Sequence, residues 1–255
     1  MIANSRRDNI FIILAGVFIT NALVAEIIGG KLISVDLSFG PFNWEPFVLS
    51  MGILPWPIVF IATDLINEYF GRKGVQKLSI LTASLIAYGF LIIFLAMRVP
   101  AWEFSNVQDF EFNKVLGQSQ LIIVGSITAF LVGQIVDVFV FWFLRERTGG
   151  KMLWLRATGS TVVSQLIDSF IVLGIAFYLP DVFNFYDKPV EKLMTFNQFI
   201  AIGFTGYAFK LIIAVGLTPV IYAVHAAIDK YLGKDDAQKL IQHTAEETLQ
   251  KKVEE

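Results

Sequence analysis

The chain contains no cysteine, so disulfide bridges and thiolate metal sites are excluded from the outset. Histidine is almost absent: His225 ends the last apolar run and His243 sits in a polar tail, with no ligand cluster around either, so no metal is expected. Charge is scarce too. Only 16% of the 255 residues are Asp, Glu, Lys or Arg, against about 25% in soluble domains. The net charge of −2 comes without a basic block of the kind that binds nucleic acid. There is no glycine-rich phosphate loop, no Ser-His-acid set and no His-Glu-x-x-His motif. Neither ATP hydrolysis nor any other enzyme activity is expected, and no cofactor.

What is abundant is apolar surface. The chain is 55% hydrophobic, and mean hydropathy is +0.64. Windows of roughly 20 apolar residues, long enough to cross a bilayer, predict six spans. They are Ile10 to Ile28, Phe47 to about Ile66, Leu78 to Met97, Leu121 to Leu144, Thr158 to Leu179, and Phe199 to about Ala226. The first follows Arg6 and Arg7, as a signal peptide would, but it is too long for a signal core and lacks a small-x-small cleavage site. It reads as a retained helix. The expected fold class is an all-α integral membrane protein with six transmembrane helices, residues 1–232, followed by a polar tail, 233–255. In the tail Leu240, Ile241, Leu249 and Val253 make only a thin apolar face, so a solvated cytoplasmic end is expected.

Lys and Arg fall unevenly between the spans: fourteen on the side of the termini, five on the other, and Lys210 inside the sixth span. The positive-inside rule therefore predicts cytoplasmic N- and C-termini. The longer loops on the opposite side carry Trp102, Phe104, Phe110 and Phe112, then Phe183, Phe185 and Tyr186, which suit anchors at the headgroup level.

Against this apolar background the polar residues inside the spans stand out. Gly133-Gln134-Ile135-Val136-Asp137 on span four is answered by Ser164-Gln165-Leu166-Ile167-Asp168 on span five. Each pair puts an amide and a carboxylate at i and i+3, on one helix face. A carboxylate near the middle of a spanning helix costs about 2.5–3.5 kcal/mol on insertion scales, so it is rarely incidental. At ~1.5 Å per residue, Gln134 and Asp168 lie about 15 Å from the cytoplasmic ends of their helices, and Asp137 and Gln165 about 10 Å. The antiparallel pair thus sets each carboxylate level with an amide across the interface. Lys210 approaches the same layer if the sixth helix ends before Ala226 or tilts. A tie between helices is worth only about 0.6 kcal/mol in membranes and needs no charge, so two Asp and a Lys favour binding of a ligand or ion.

Span two holds Pro55-Trp56-Pro57, where missing N–H groups predict a kinked or broken helix of the kind that lines transporter cavities. Beyond it, Asp64 and Glu68 share a face at i and i+4; Asp64 is flanked by apolar turns, whereas Glu68 is expected to pair at the surface with Arg72 or Lys73. In span one, Asn21 is deep enough to bond either a ligand or a helix, and Glu26 and Lys31 lie near the outer surface.

The ordered set Thr63-Asp64-Leu65 through Gly71, Gly133 through Phe139, Gly159-Ser160-Thr161 through Asp168, Lys210, and Thr218-Pro219-Val220-Ile221-Tyr222 resembles the queuosine precursor transporter family, also called the vitamin uptake transporter family. The stretch Asn21 to Lys31 is similar as well. The resemblance implies a bacterial inner (plasma) membrane importer of 7-deazaguanine bases such as preQ0, preQ1 or queuine for tRNA modification. It also implies an architecture like that of the substrate-binding subunits of energy-coupling-factor vitamin transporters. The matching substrate-binding residues are Asp64, Gln134, Asp137, Gln165, Asp168 and Lys210, with Asn21 and Lys31 at the margin. The chemistry agrees: a carboxylate accepts two adjacent N–H groups of a guanine-like edge, and a Gln amide or Lys ammonium donates to its carbonyl. A flat ring stacks on aromatic side chains, too numerous here for any to be singled out. Expected partners are this small-molecule substrate and the lipid bilayer, with a homodimer left open and no nucleic acid. Two alternatives stand beside it: a proton- or cation-coupled transporter of another small polar solute, and a binding subunit that needs a separate ATPase.

Overall fold

The computed structural model describes residues 2–29, 31–35, 47–117, 120–148, 152–183 and 194–254, and every structural statement below concerns these. Phe185, Tyr186 and the lysines at 151, 188 and 192 lie outside them, as do the side chains of Leu249 and Val253.

The fold is all-helical apart from one small ladder. Helix α1 (Ile2–Ile28) leads into strand β1 (Leu32–Val35), which pairs antiparallel with β2 (Phe47–Ser50) in the register Leu32 to Ser50. A 3-10 turn (Met51–Ile53) passes the chain to α2 (Trp56–Ala96). Then come α3 (Asp109–Leu116), α4 (Gln120–Thr148) and α5 (Leu153–Leu173). A π-type turn (Gly174–Tyr178) runs into the short α6 (Leu179–Val182). Last are α7 (Phe196–Gly216), α8 (Thr218–Leu232) and α9 (Lys234–Glu254). Five runs are long and apolar enough to cross a membrane.

One of the five counts twice. At ~1.5 Å per residue the 41 residues of α2 would reach about 60 Å, twice a hydrocarbon core of about 30 Å. Its continuity is broken at Gly71, where φ is 74° and ψ 179°. That region of backbone space is open almost only to glycine. The break divides α2 into two arms and restores six crossings. Arg72, Lys73 and Lys77, expected in a loop, stand on the second arm.

Two further boundaries differ from expectation. The second crossing begins at Trp56 and not Phe47, because the residues between them form β2 and the 3-10 turn. The Pro55-Trp56-Pro57 segment starts a helix instead of kinking one: Pro55 caps α2 and Pro57 sits in its first turn, where an N–H has no partner in any case. The sixth crossing ends at Gly216, ten residues before Ala226, and Pro219 opens the separate helix α8 in the same manner.

Helix α8 buries Ile221, Ile228 and Leu232 along one face. It is tied to the first arm of α2 by Tyr69, whose hydroxyl donates to Asp229 Oδ1 at 2.6 Å. The C-terminal helix folds back as well. Thr244 Oγ1 donates to Tyr69 O at 3.2 Å, Arg145 donates to Ile241 O at 3.0 Å, and Ala237, Leu240 and Ile241 pack on the core. The thin apolar face of the tail is thus partly covered by the protein itself. Arg6 of α1 reaches Tyr231 O at the end of α8, so the N-terminal helix and the C-terminal segment meet at one end of the bundle.

Candidate functional site

The most extensive helix pairing in the bundle is α4 against α5. Their shared face carries both pentapeptides, and a Cβ placed on Gly133 would lie 3.7 Å from Asp168 Cβ. The register read from depth, Gln134 level with Asp168, is therefore present. Gln134, Asp137, Ser164, Gln165 and Asp168 line one cleft together with Thr63 of α2. Its apolar wall is Trp56, Phe60 and Phe130. The Trp56 ring lies 5.9 Å from Phe60 at 24° and 5.9 Å from Phe130 at 44°, so three flat faces crowd one side. In this conformation the cleft is contracted, with room for about one water molecule between its walls.

Hydrogen bonding differs from the expected amide-to-carboxylate exchange. Asp168 Oδ2 is paired with Lys210 Nζ at 2.6 Å, with side chains 14% and 20% exposed respectively. This contact is possible because α7 stops at Gly216, which lowers Lys210 into the layer of Asp168. Asp137 Oδ1 accepts from Ser164 Oγ at 3.2 Å, and Gln134 Oε1 accepts from Ser79 Oγ at 3.4 Å. A serine across a close helix interface reaches a carboxylate with little side chain to order, whereas a Gln must fix a longer one.

Other candidates lie elsewhere. Asn21 Nδ2 donates to Val17 O at 2.8 Å, within its own helix, and Lys31 is exposed. Asp64 is buried beside the cleft and lines a second, smaller cavity with Thr158 and Thr161. Glu68 is not a surface group. It is 4% exposed, held by Arg156 at 2.8 Å with Arg145 at 3.8 Å, while Arg72 and Lys73 face outward. The expected surface pair is thus a buried triad of one carboxylate and two guanidiniums.

Sequence reasoning missed Arg156 by counting it with the loop cations. A signal was present, since Arg156, Ser160, Ser164 and Asp168 recur every four residues and mark one polar stripe along α5. Glu26, expected near the surface, is buried and accepts from Ser126 Oγ at 2.5 Å. Nothing in its neighbours along the chain announced that.

Residues 50–224 match the family described as "Putative vitamin uptake transporter". A "Probable queuosine precursor transporter" of Haemophilus influenzae is 28% identical over 191 residues, 73% of this chain and 72% of that protein. Another of that description, from Bacillus subtilis, is 31% identical over 50% of this chain and 56% of its own length. A "Queuosine precursor transporter" of Escherichia coli is 27% identical over 72% of this chain and 76% of its own. No solved structure matches.

Proposed function

The chain belongs to the vitamin uptake transporter family, and on that premise we propose that it imports 7-deazaguanine queuosine precursors across a bacterial plasma membrane. The observation that carries the reading is the composition of the cleft: two carboxylates, two amides and an ammonium on one side, three aromatic faces on the other. A guanine-like base offers the complementary surface, a donor-rich edge with a carbonyl and two flat faces. Asp137 and Asp168 accept from the ring edge and any aminomethyl substituent, and Gln134 and Gln165 donate to the carbonyl. Trp56, Phe60 and Phe130 supply the stacking surface. Lys210 holds Asp168 in place until the substrate arrives. Water is excluded by the same apolar wall, which strengthens each of these polar contacts.

Since the cleft is closed to a ring, loading requires its helices to part. The break at Gly71 and the joint at Leu217 are the places where the backbone allows this without tearing a helix. Both termini are assigned to the cytoplasm from the charge asymmetry. The function is carriage and not catalysis, in an architecture akin to the substrate-binding subunits of energy-coupling-factor transporters.

The test is queuosine in the tRNA of a precursor-auxotrophic host supplied with limiting external precursor. Queuosine is expected with the wild-type gene and absent without it. Equal queuosine in both strains rejects the function.

A further inference from the structure

The three carboxylates brought together around the cleft are not served alike. Asp168 has Lys210, and Asp137 has Ser164 on Oδ1, with Oδ2 lacking a described partner. Asp64 is 2% exposed, and neither of its carboxylate oxygens has a hydrogen-bond partner among the described residues. One turn further along the same helix Asn67 is fully buried, and neither atom of its amide has a described partner. Unpaired groups of this kind are rare in native proteins, and a buried carboxyl either gains a partner, which a bound cation can be, or keeps its proton.

The surrounding charges do not supply one. Glu68 already engages Arg156 and Arg145. Neither guanidinium is hydrogen-bonded to Asp64, so its two oxygens are open to another partner.

The cavity beside Asp64 has the right chemistry for it. Its polar lining consists of Asp64, Thr158 and Thr161, all oxygen ligands, without the amide and ammonium donors of the substrate cleft. Thr161 is 4% exposed. Leu217 also lines it, at the joint where α7 ends and α8 begins. Hard cations prefer ligands of this oxygen type. The space admits about one water-sized occupant.

We propose that Asp64, with Thr158 and Thr161, forms a site for a small monovalent cation, Na+, that is separate from the substrate cleft and couples to it. This rests on the transport reading for its purpose, but not for the binding itself. Asp64 and Thr63 are consecutive residues of α2, one on the cation cavity and the other on the cleft. Filling the cation site therefore bears on the same helix turn that lines the substrate site.

Binding can be read without any substrate. Purified full-length protein in detergent is heated in NaCl, KCl or choline chloride at equal ionic strength. A saturable rise in Tm specific to Na+ is expected for wild type and for Asp168→Asn, and its loss for Asp64→Asn. Because no described group is hydrogen-bonded to Asp64, Asp64→Asn breaks no contact and is expected to be about as stable as wild type in choline chloride. Thr161→Val keeps the carboxylate and is expected to move the Na+ midpoint to higher concentration, which serves if Asp64→Asn fails to fold. Equal Tm in all three salts, an equal response to K+, or a Na+ response that survives both substitutions overturns the proposal. Deazaguanine uptake that follows a pH gradient and ignores Na+ also overturns it.

Discussion

Lys210 Nζ stands 2.6 Å from Asp168 Oδ2, a contact between the fifth and sixth crossings of residues 42 apart in the chain. Breaking such a pair from one side leaves a charge without its partner inside the bundle, whereas removing both partners is often close to neutral. Asp168→Asn and Lys210→Met are each expected to abolish deazaguanine uptake while still inserting in the membrane. The double variant is expected to recover the Tm lost by either single change but no uptake. Tm in detergent alongside uptake in cells measures both. Unchanged uptake in Asp168→Asn removes Asp168 from the substrate site.

The triad of Glu68 with Arg156 and Arg145 predicts a different outcome, one of stability. Glu68→Gln leaves two buried guanidiniums facing each other, with a cost of about 3–5 kcal/mol. Tm is expected to fall by about 10 °C. Arg72→Ala or Lys73→Ala, at exposed positions, is expected to change stability by less than about 0.5 kcal/mol. Comparable losses in all three variants would mean that the triad is not what holds Glu68.

The contrast between Glu68 and Asp168 shows what the sequence made visible. Hydropathy gave the crossings, and helical spacing gave the shared face of Gln134, Asp137, Gln165 and Asp168, because both depend on local pattern alone. Lys210 joined them only when the end of α7 was known, since a ten-residue change in a boundary moves a side chain by about 15 Å along its axis. Glu68 was misassigned because Arg72 and Lys73 were near in sequence, while Arg156 is 88 residues away. Pro55 and Pro57 were legible as backbone irregularities, but the same chemistry starts a helix as readily as it breaks one. Nothing along the chain tied Ser164 to Asp137 Oδ1 or Ser79 to Gln134 Oε1. Only packing makes them partners.

Gly71 is predicted to be intolerant of any side chain. Its φ of 74° with ψ of 179° disfavours other residues by about 1–3 kcal/mol. A Cβ there would also lie 2.6 Å from Thr244 Cγ2, within the contact that seats α9 on α2. Gly71→Ala is therefore expected to lower Tm and to loosen α9. Limited proteolysis checks this: earlier cleavage within residues 234–254 than in wild type is the expected result. A proteolytic pattern identical to wild type would show that α9 does not depend on this turn.

Trp56 offers the sharpest test of substrate shape. It stacks on Phe60 and leans on Phe130 at the cleft wall, at the first turn of α2 where the helix is held by prolines. Stacking of a base on an aromatic ring is worth about 1–3 kcal/mol by alanine substitution, a loss of roughly 5- to 150-fold in affinity. Trp56→Ala is expected to weaken deazaguanine binding within that range, and Trp56→Phe to recover much of it, since Phe keeps a flat face. The paired comparison separates stacking from packing. If Trp56 only fills space, Trp56→Leu should restore binding as well as Trp56→Phe does; if it stacks on the base, Leu should not. Isothermal titration on purified protein distinguishes the two, and equal rescue by Leu would remove Trp56 from substrate recognition.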